Sequence, residues 1–179
     1  MKALADGGYQ VGELAMLYHP GGVKIDTLDY DESVRLTDEL LTQPKVTIYE
    51  AAFRYENLFV RVDVLVKDGN RIELTEVKAK SFDSTDDFEP FDKRGIKKGN
   101  YRLKADWGDY LLDLAFQTYV LEKAKPQFKV YPGLMLADKS RVSTVDGLNQ
   151  LFLISKTDDD RTKVTLTKKS MLKILEYSS

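Results

Sequence analysis

The sequence predicts an α/β (α+β) domain in which a mixed central sheet is flanked by helices. Three consecutive strand-like runs, rich in β-branched and aromatic residues, lie near the middle of the chain. Apolar residues at helical spacing precede and follow these runs, and a further strand-like run comes after the second helical region. With 179 residues, of which 42% are apolar, we expect a single domain over residues 1–179.

The predicted elements follow one another with short links. A helix is expected at residues 10–18, where His-Pro-Gly-Gly ends it, and a second helix at 31–41 before Pro44. The remaining predictions are strands at 46–55, 58–67 and 71–80, a long amphipathic helix at 106–124, strands at 127–137, 151–155 and 164–167, and a short helix at 168–177.

Composition restricts the chemistry of any site. The chain has no cysteine and a single histidine, His19, which excludes thiolate zinc sites, iron–sulfur clusters, disulfides and sites built from several imidazoles. Any metal must therefore be held mainly by oxygen. The net charge of -2 gives no global basic field. A basic stretch at 93–104 follows an acidic one at 83–92, and this charged loop either faces a substrate or is simply solvated.

The sequence indicates a cytoplasmic protein without membrane association. No run approaches the roughly 18 consecutive apolar residues that span a bilayer, and the start, MKALADGGYQ, has no apolar stretch of signal-peptide length. A start directly before a helix is also compatible with a domain excised from a longer protein, with a helicase or another domain outside this chain.

The third central strand carries charges on an otherwise apolar face. Because side chains alternate along a strand, Glu76 and Lys78 lie on the side that also carries apolar residues. A turn centred on residues 68–69 would place Asp63 opposite Leu74, diagonal to Glu76 and on the same face.

The preceding hairpin adds a third carboxylate. A two-residue loop at 56–57 places Glu50 across from Asp63, where like charges repel, provided that no bulge intervenes. Three carboxylates then share one partly buried face, with Arg61 and Lys78 as the nearby cations. Either these cations neutralise the cluster structurally or a divalent metal does so at a functional site, and we favour the functional site. Arg61 is expected to support the site or position the substrate.

Asp63 and the segment ELTEVKAK, which contains Glu76-Val77-Lys78, resemble the D…ExK core of the PD-(D/E)XK nuclease superfamily. The wider set of segments GGYQVGELA, IYEAAF, VRVDVLVK, LTEVKAK and DLAFQTYVL is similar to the RecB-type branch, particularly to bacterial nuclease-like domains of unassigned function. The similarity covers residues 7–123, with weaker likeness to the end.

The resemblance implies a restriction-endonuclease-like core and metal-dependent hydrolysis of phosphodiester bonds in nucleic acid, with DNA as the expected substrate. Asp63 and Glu76 would hold Mg²⁺ or Mn²⁺, the backbone carbonyl of Val77 would complete the coordination, and Lys78 would orient the attacking water and offset developing phosphate charge. Hard oxygen ligands suit Mg²⁺, which keeps several waters and can lower the pKa of one of them.

The resemblance also carries three supporting residues. In this branch the helix before the sheet commonly supplies another metal ligand, often a histidine; Glu13 occupies the matching place, with a solvated helix residue as the alternative. Glu50 matches a recurring first-strand glutamate, for which we expect a supporting role. Gln117 matches a glutamine on the helix after the ExK strand and belongs to a polar stripe with Asp109 and Asp113 at four-residue intervals.

Two other functions stay open. The same fold could serve as a nucleic-acid or protein-binding module with weak or absent metal binding and catalysis. A carboxylate-based glycosidase could also use paired acids. It is less attractive, because a neighbouring lysine fits phosphate and metal chemistry better.

Overall fold

The computed structural model describes residues 2–86, 90–91, 102–142, 152–156 and 162–166. The helices are α1 (Lys2–Tyr18), α2 (Tyr30–Leu41) and α3 (Ala105–Ala124). The strands are β1 (Val23–Lys24), β2 (Lys45–Tyr55), β3 (Leu58–Asp68), β4 (Arg71–Phe82), β5 (Lys129–Asp138), β6 (Phe152–Lys156) and β7 (Thr162–Leu166). No helix within the described ranges is both long enough and apolar enough to cross a membrane.

Five strands form one mixed sheet in the order β1-β2-β3-β4-β5. The three long central strands are antiparallel neighbours, β1 runs parallel to β2, and β5 runs parallel to β4. Because α3 lies between β4 and β5 in the chain, it forms the crossover that a parallel pair requires. β6 and β7 form a separate antiparallel pair. The predicted fold class, a mixed sheet flanked by helices, is confirmed.

Most predicted elements are present, with shifted ends. α1 begins eight residues earlier than residue 10, since the glycines before that point conceal the helical pattern. α2 begins after Asp29, whose carboxylate caps the helix by accepting a hydrogen bond from the backbone N–H of Glu32 at 2.8 Å. The two-residue strand β1 was not predicted. The predicted helix at 168–177 and most of the charged loop lie outside the described residues.

The larger core lies between one face of the sheet and helices α2 and α3. Its fully buried side chains include Phe53, Leu65 and Leu74 of the central strands, which pack with Val120 and Leu121 of α3. Each large aliphatic or aromatic side chain buried in this way contributes about 1.5–3 kcal/mol. The position of α3 against the sheet is therefore fixed by apolar packing.

The opposite face of the sheet packs against α1 through a smaller cluster centred on Ala15, Tyr49 and Val64. The Tyr49 hydroxyl accepts a hydrogen bond from the backbone N–H of Gly22 at 3.1 Å and contacts the carbonyl oxygens of Met16 and His19. A Cβ atom at Gly22 would lie 2.4 Å from the Tyr49 ring, so only glycine allows this close approach. One hydroxyl group therefore fastens the end of α1 to the sheet.

We predict that Tyr49→Phe lowers the free energy of unfolding by about 1–3 kcal/mol, because partly buried backbone groups at the end of α1 lose their partner. The measurement is the midpoint of urea unfolding followed by circular dichroism. The control is Tyr18→Phe, since the Tyr18 side chain is 70% exposed, and this change should stay within about 0.5 kcal/mol. Equal midpoints for the two variants would contradict the role given to the Tyr49 hydroxyl.

Candidate active site

β3 and β4 separate at Asp63. Their ladder of paired residues runs from Asp68 and Arg71 to Val64 and Thr75, and it ends there. At the next position, Asp63 Oδ2 accepts a hydrogen bond from the backbone N–H of Val77 at 2.7 Å. A side chain thus takes the place of the next backbone acceptor, and β4 continues beside β5 while β3 diverges from it.

The turn between β3 and β4 differs from the predicted one. Asp68 still belongs to β3, and the loop is the pair 69–70, with Gly69 at a φ of +59°. The prediction that Asp63 stands opposite Leu74 was therefore wrong: the register brings Asp63 level with Glu76. The reason is that a tight two-residue loop needs a residue that tolerates positive φ, and Gly69 supplies it at the first loop position.

Glu50 stands across from Asp63 on the neighbouring strand, as the loop at 56–57 predicted. The β2–β3 pairs on both sides of this position keep one register. The backbone of Glu50 has a φ of +59°, in the left-handed region that non-glycine residues rarely adopt. Burial raises the pKa of the Glu50 carboxyl; Lys24 and Arg61 oppose this shift, and Glu76 adds to it. A strained backbone and an unfavourably buried acid coincide here, as is frequent at functional sites.

Four side chains close a ring between β4 and α3, which we call the β4–α3 ring: Glu76, Lys78, Asp113 and Gln117. Glu76 is only 6% exposed. Its Oε1 lies 2.6 Å from Lys78 Nζ, and its Oε2 accepts a hydrogen bond from Gln117 Nε2 at 2.7 Å. On the other side, Lys78 Nζ donates to Asp113 Oδ2 at 2.8 Å, and Gln117 Nε2 lies 3.4 Å from Asp113 Oδ1.

The acids of this region lack sufficient positive charge. Burial, followed by the proximity of Glu76, raises the pKa of Asp63 to about 7, although the hydrogen bond from Val77 lowers it. Burial opposes the charged form of Lys78, but hydrogen bonds to Asp113 and Glu76 outweigh it and raise the pKa of the ammonium group. Lys78 is therefore a firmly protonated cation, while Asp63 and Glu50 are carboxylates that would be stabilised by further positive charge.

The parted strands and α1 enclose a pocket of about 460 Å³. Its lining includes Glu13, Glu50, Asp63, Glu76, Val77 and Lys78, so the structure brings together six of the residues predicted from the sequence. The lining on the α1 side also includes Gly8 and Gly12, where an added Cβ would meet nothing within 4 Å. This side of the pocket is therefore open.

The other two predicted residues lie differently. Gln117 reaches the site through the β4–α3 ring. The structure does not bring Arg61 into the pocket lining. Its guanidinium group donates to the backbone carbonyls of Ile25 and Thr27 and so holds the segment between β1 and α2. Among the described residues, Arg61 bears on the site through its charge, which opposes the rise in the pKa of Glu50.

Sequence reasoning did not assign Lys24 or Asp113 to the site. Lys24 lines the pocket, and its Nζ lies 3.3 Å from Glu13 Oε1. It belongs to β1, a strand of two residues that leaves no periodic signal. Asp113 was visible in the polar stripe with Gln117, but only the fold reveals that its partner is Lys78.

The donors in the pocket suit a hard divalent cation. Carboxylates and a backbone carbonyl are the ligands that Mg²⁺ and Mn²⁺ prefer, and the raised pKa values of Asp63 and Glu50 indicate a need for positive charge. Among the described residues, no three acidic or imidazole side chains form a ready cluster around one point. To bind Glu76, a cation would therefore have to compete with Lys78, which pairs with the Glu76 carboxylate.

No family model, curated protein or solved structure matches this chain. The function is therefore inferred from the geometry of the pocket and from the residues that line it.

From the raised pKa of Asp63 we predict how the stability of the fold depends on pH. The folded state holds the Asp63 proton up to about pH 7, whereas the unfolded state releases it near pH 4, so the metal-free protein should lose stability as pH rises from about 4 to 7. Asp63→Asn removes this loss. In the presence of a chelator, the variant should be more stable than the wild type by roughly 4 kcal/mol at pH 8.

The measurement is urea unfolding at pH 5 and pH 8. The stability difference between Asp63→Asn and the wild type should be much smaller at pH 5, where the Asp63 carboxyl keeps its proton in the folded state. Asp68→Asn is the control, because Asp68 lies exposed at the end of the same strand. An Asp63→Asn variant that is less stable than the wild type at pH 8 would contradict the assignment.

Proposed function

We propose that the protein is a divalent-metal-dependent nuclease that hydrolyses phosphodiester bonds, with DNA as its substrate. One observation carries the proposal: the partly buried Asp63 and the buried Glu76 lie just beyond the last β3–β4 pair, where the strands part, and Lys78 contacts Glu76 at 2.6 Å. The D…ExK resemblance supports the same three residues from the sequence. The mixed sheet flanked by helices is compatible with the restriction-endonuclease-like core that this resemblance implies.

In this proposal Asp63, Glu76 and the carbonyl of Val77 would hold Mg²⁺ or Mn²⁺. Bound there, the cation would supply an activated water and would neutralise charge on the phosphate. Lys78 acts as a hydrogen-bond donor and a fixed positive charge rather than as a base, because its raised pKa keeps it protonated. It orients the water and the phosphate oxygen on the β4 side of the pocket.

The remaining polar groups have supporting roles. Glu50 adds negative charge beside Asp63 and so favours a cation over an empty pocket. Glu13 faces the same pocket from α1 and is held by Lys24 at 3.3 Å. It is the candidate for an additional ligand in the place where related nucleases often have histidine. Gln117 fixes the orientation of the Glu76 carboxylate.

The nuclease would act in the cytoplasm, where both DNA and Mg²⁺ are present. A helicase or other domain outside this chain would be a partner that delivers the nucleic acid.

We predict that Glu76→Gln and Lys78→Ala abolish cleavage and leave a folded protein, with a loss of at least about 100-fold, because each removes a group that contacts the metal or the reacting phosphate. The assay uses linear and circular DNA, single- and double-stranded, with Mg²⁺ or Mn²⁺. Glu73→Gln and Lys45→Ala are the matched controls, since both side chains form exposed ion pairs away from the pocket. If clean preparations of the wild type and of Lys78→Ala cleave DNA equally well, the assignment is wrong.

A second candidate is a nuclease-fold module that binds nucleic acid or protein without catalysis. The observation that favours it is the ion pair between Glu76 and Lys78, which already neutralises one of the acids that a metal needs. A carboxylate that already has a cationic partner gains less from binding a metal.

Thermal melting separates the two candidates. For a nuclease, we predict that Mn²⁺ at about 100 times its dissociation constant stabilises the protein by about 2.7 kcal/mol, and that Asp63→Asn strongly reduces this effect. Ca²⁺, which also takes oxygen ligands, serves as a second probe. A melting temperature that no divalent cation changes, together with absent cleavage, would favour the binding module.

A further inference from the structure

Lys78 has two carboxylate partners that come from different elements. Glu76 lies two residues away on β4, and Asp113 lies on α3. The two carboxylates differ in exposure: the Glu76 side chain is 8% exposed and the Asp113 side chain 41%. The ammonium group therefore bridges a buried acid and a more solvated one.

A divalent cation and Lys78 would compete for Glu76. A cation held by Asp63 and Glu76 would place two positive charges close to the Lys78 ammonium group, and like charges repel strongly at such a distance in a partly buried site. This repulsion would favour a state in which Lys78 leaves Glu76 Oε1. Asp113 Oδ2, at 2.8 Å, is a partner that Lys78 can keep.

Gln117 keeps the two acids in place during this exchange. Its Nε2 donates to Glu76 Oε2 at 2.7 Å and lies 3.4 Å from Asp113 Oδ1. Asp113 and Gln117 are four residues apart and so lie on one side of α3. Because Val120 and Leu121 of the same helix are fully buried against the sheet, this side of α3 has a fixed position.

We propose that Asp113 is a positioning residue that holds Lys78 away from Glu76 when a divalent cation binds. This inference rests on the proposed metal-dependent function. With Asp113 present, the cation gains Glu76 without displacing Lys78 into solvent, and the ammonium group stays beside the reacting phosphate. Without Asp113, Glu76 is the remaining carboxylate of the ring for Lys78, and lysine and metal compete for it.

The experiment measures Mn²⁺ affinity by isothermal titration and by thermal shift on the whole chain. We compare the wild type with Asp113→Ala, Lys78→Ala and the double variant. Asp113→Ala should weaken Mn²⁺ binding about tenfold, because Lys78 then remains on Glu76. In the Lys78→Ala background the same change should alter affinity less than about threefold, since no competitor is left.

Two further variants keep the test decisive. Asp113→Asn preserves shape and hydrogen bonding but not charge, so it replaces Asp113→Ala if that variant does not fold. Its Mn²⁺ affinity should lie between that of the wild type and that of Asp113→Ala. Asp113→Glu should restore affinity and cleavage in part. The matched control is Asp109→Ala, an exposed acid one turn earlier on α3, which should leave both unchanged. In cleavage assays Asp113→Ala should lower kcat while KM for DNA stays within about threefold.

The outcomes distinguish this inference from the proposed function. A wild type that neither binds Mn²⁺ nor cleaves DNA overturns both. A wild type that binds Mn²⁺, with unchanged affinity in Asp113→Ala, overturns the positioning role alone. An equal loss of affinity with and without Lys78 also overturns it, because Asp113 would then act on the cation through its own charge.

Discussion

The hydrogen bond from the backbone N–H of Val77 to the Asp63 carboxylate is the contact on which the site depends. A backbone N–H buried without a partner costs about 1–3 kcal/mol, so two strands cannot part unless something replaces the lost ladder bond. Asp63 provides that replacement from its side chain. β4 can then continue beside β5 while β3 turns away, and the pocket lies at the gap between β3 and β4. Burial raises the pKa of this carboxyl to about 7. The gap between the strands therefore lowers the stability of the fold locally.

The two walls of the pocket are built differently. On the α3 side, a broad apolar core fixes the helix, and the β4–α3 ring gives each member a defined partner. On the α1 side, a small cluster and the Tyr49 hydroxyl hold the helix by its end, while Gly8 and Gly12 leave the pocket open. For the proposed nuclease, the substrate would therefore approach from the open α1 side and lie next to the fixed α3 side. This division matches what a catalytic site needs, which is access on one side and fixed geometry on the other.

How well the sequence predicts a contact in this site depends on how far apart the two residues are along the chain. The loop at 56–57 is short enough to fix one register, and Glu50 was correctly placed across from Asp63. The next hairpin was placed two residues out of register, because the sequence does not say which position of the turn the glycine takes. The error kept Asp63 near Glu76, since an even shift preserves the face. Uniform alternation also fails in β3: Val62 belongs to the core under α2 and α3, whereas Val64 belongs to the cluster under α1. Contacts such as that between Lys78 and Asp113, which are 35 residues apart, have no local signature.

The internal ion pair of the ring has a consequence for how such a site would take up metal. Many small metal sites form only when the metal binds, because their ligands repel one another in its absence. Here Lys78 neutralises Glu76, and Val77 and Gln117 hold the acids in place, so contacts within the protein already offset part of this repulsion. Metal binding would then exchange the Lys78 ammonium group for a divalent cation as the partner of Glu76. The metal affinity would be set by the difference in free energy between these two interactions. A buried acid that has lost its partner is strongly unfavourable, whereas one that changes partners is not. A second carboxylate within reach of Lys78 lowers the free energy of the exchanged state, so the acid on α3 would also bear on metal affinity without contacting the metal.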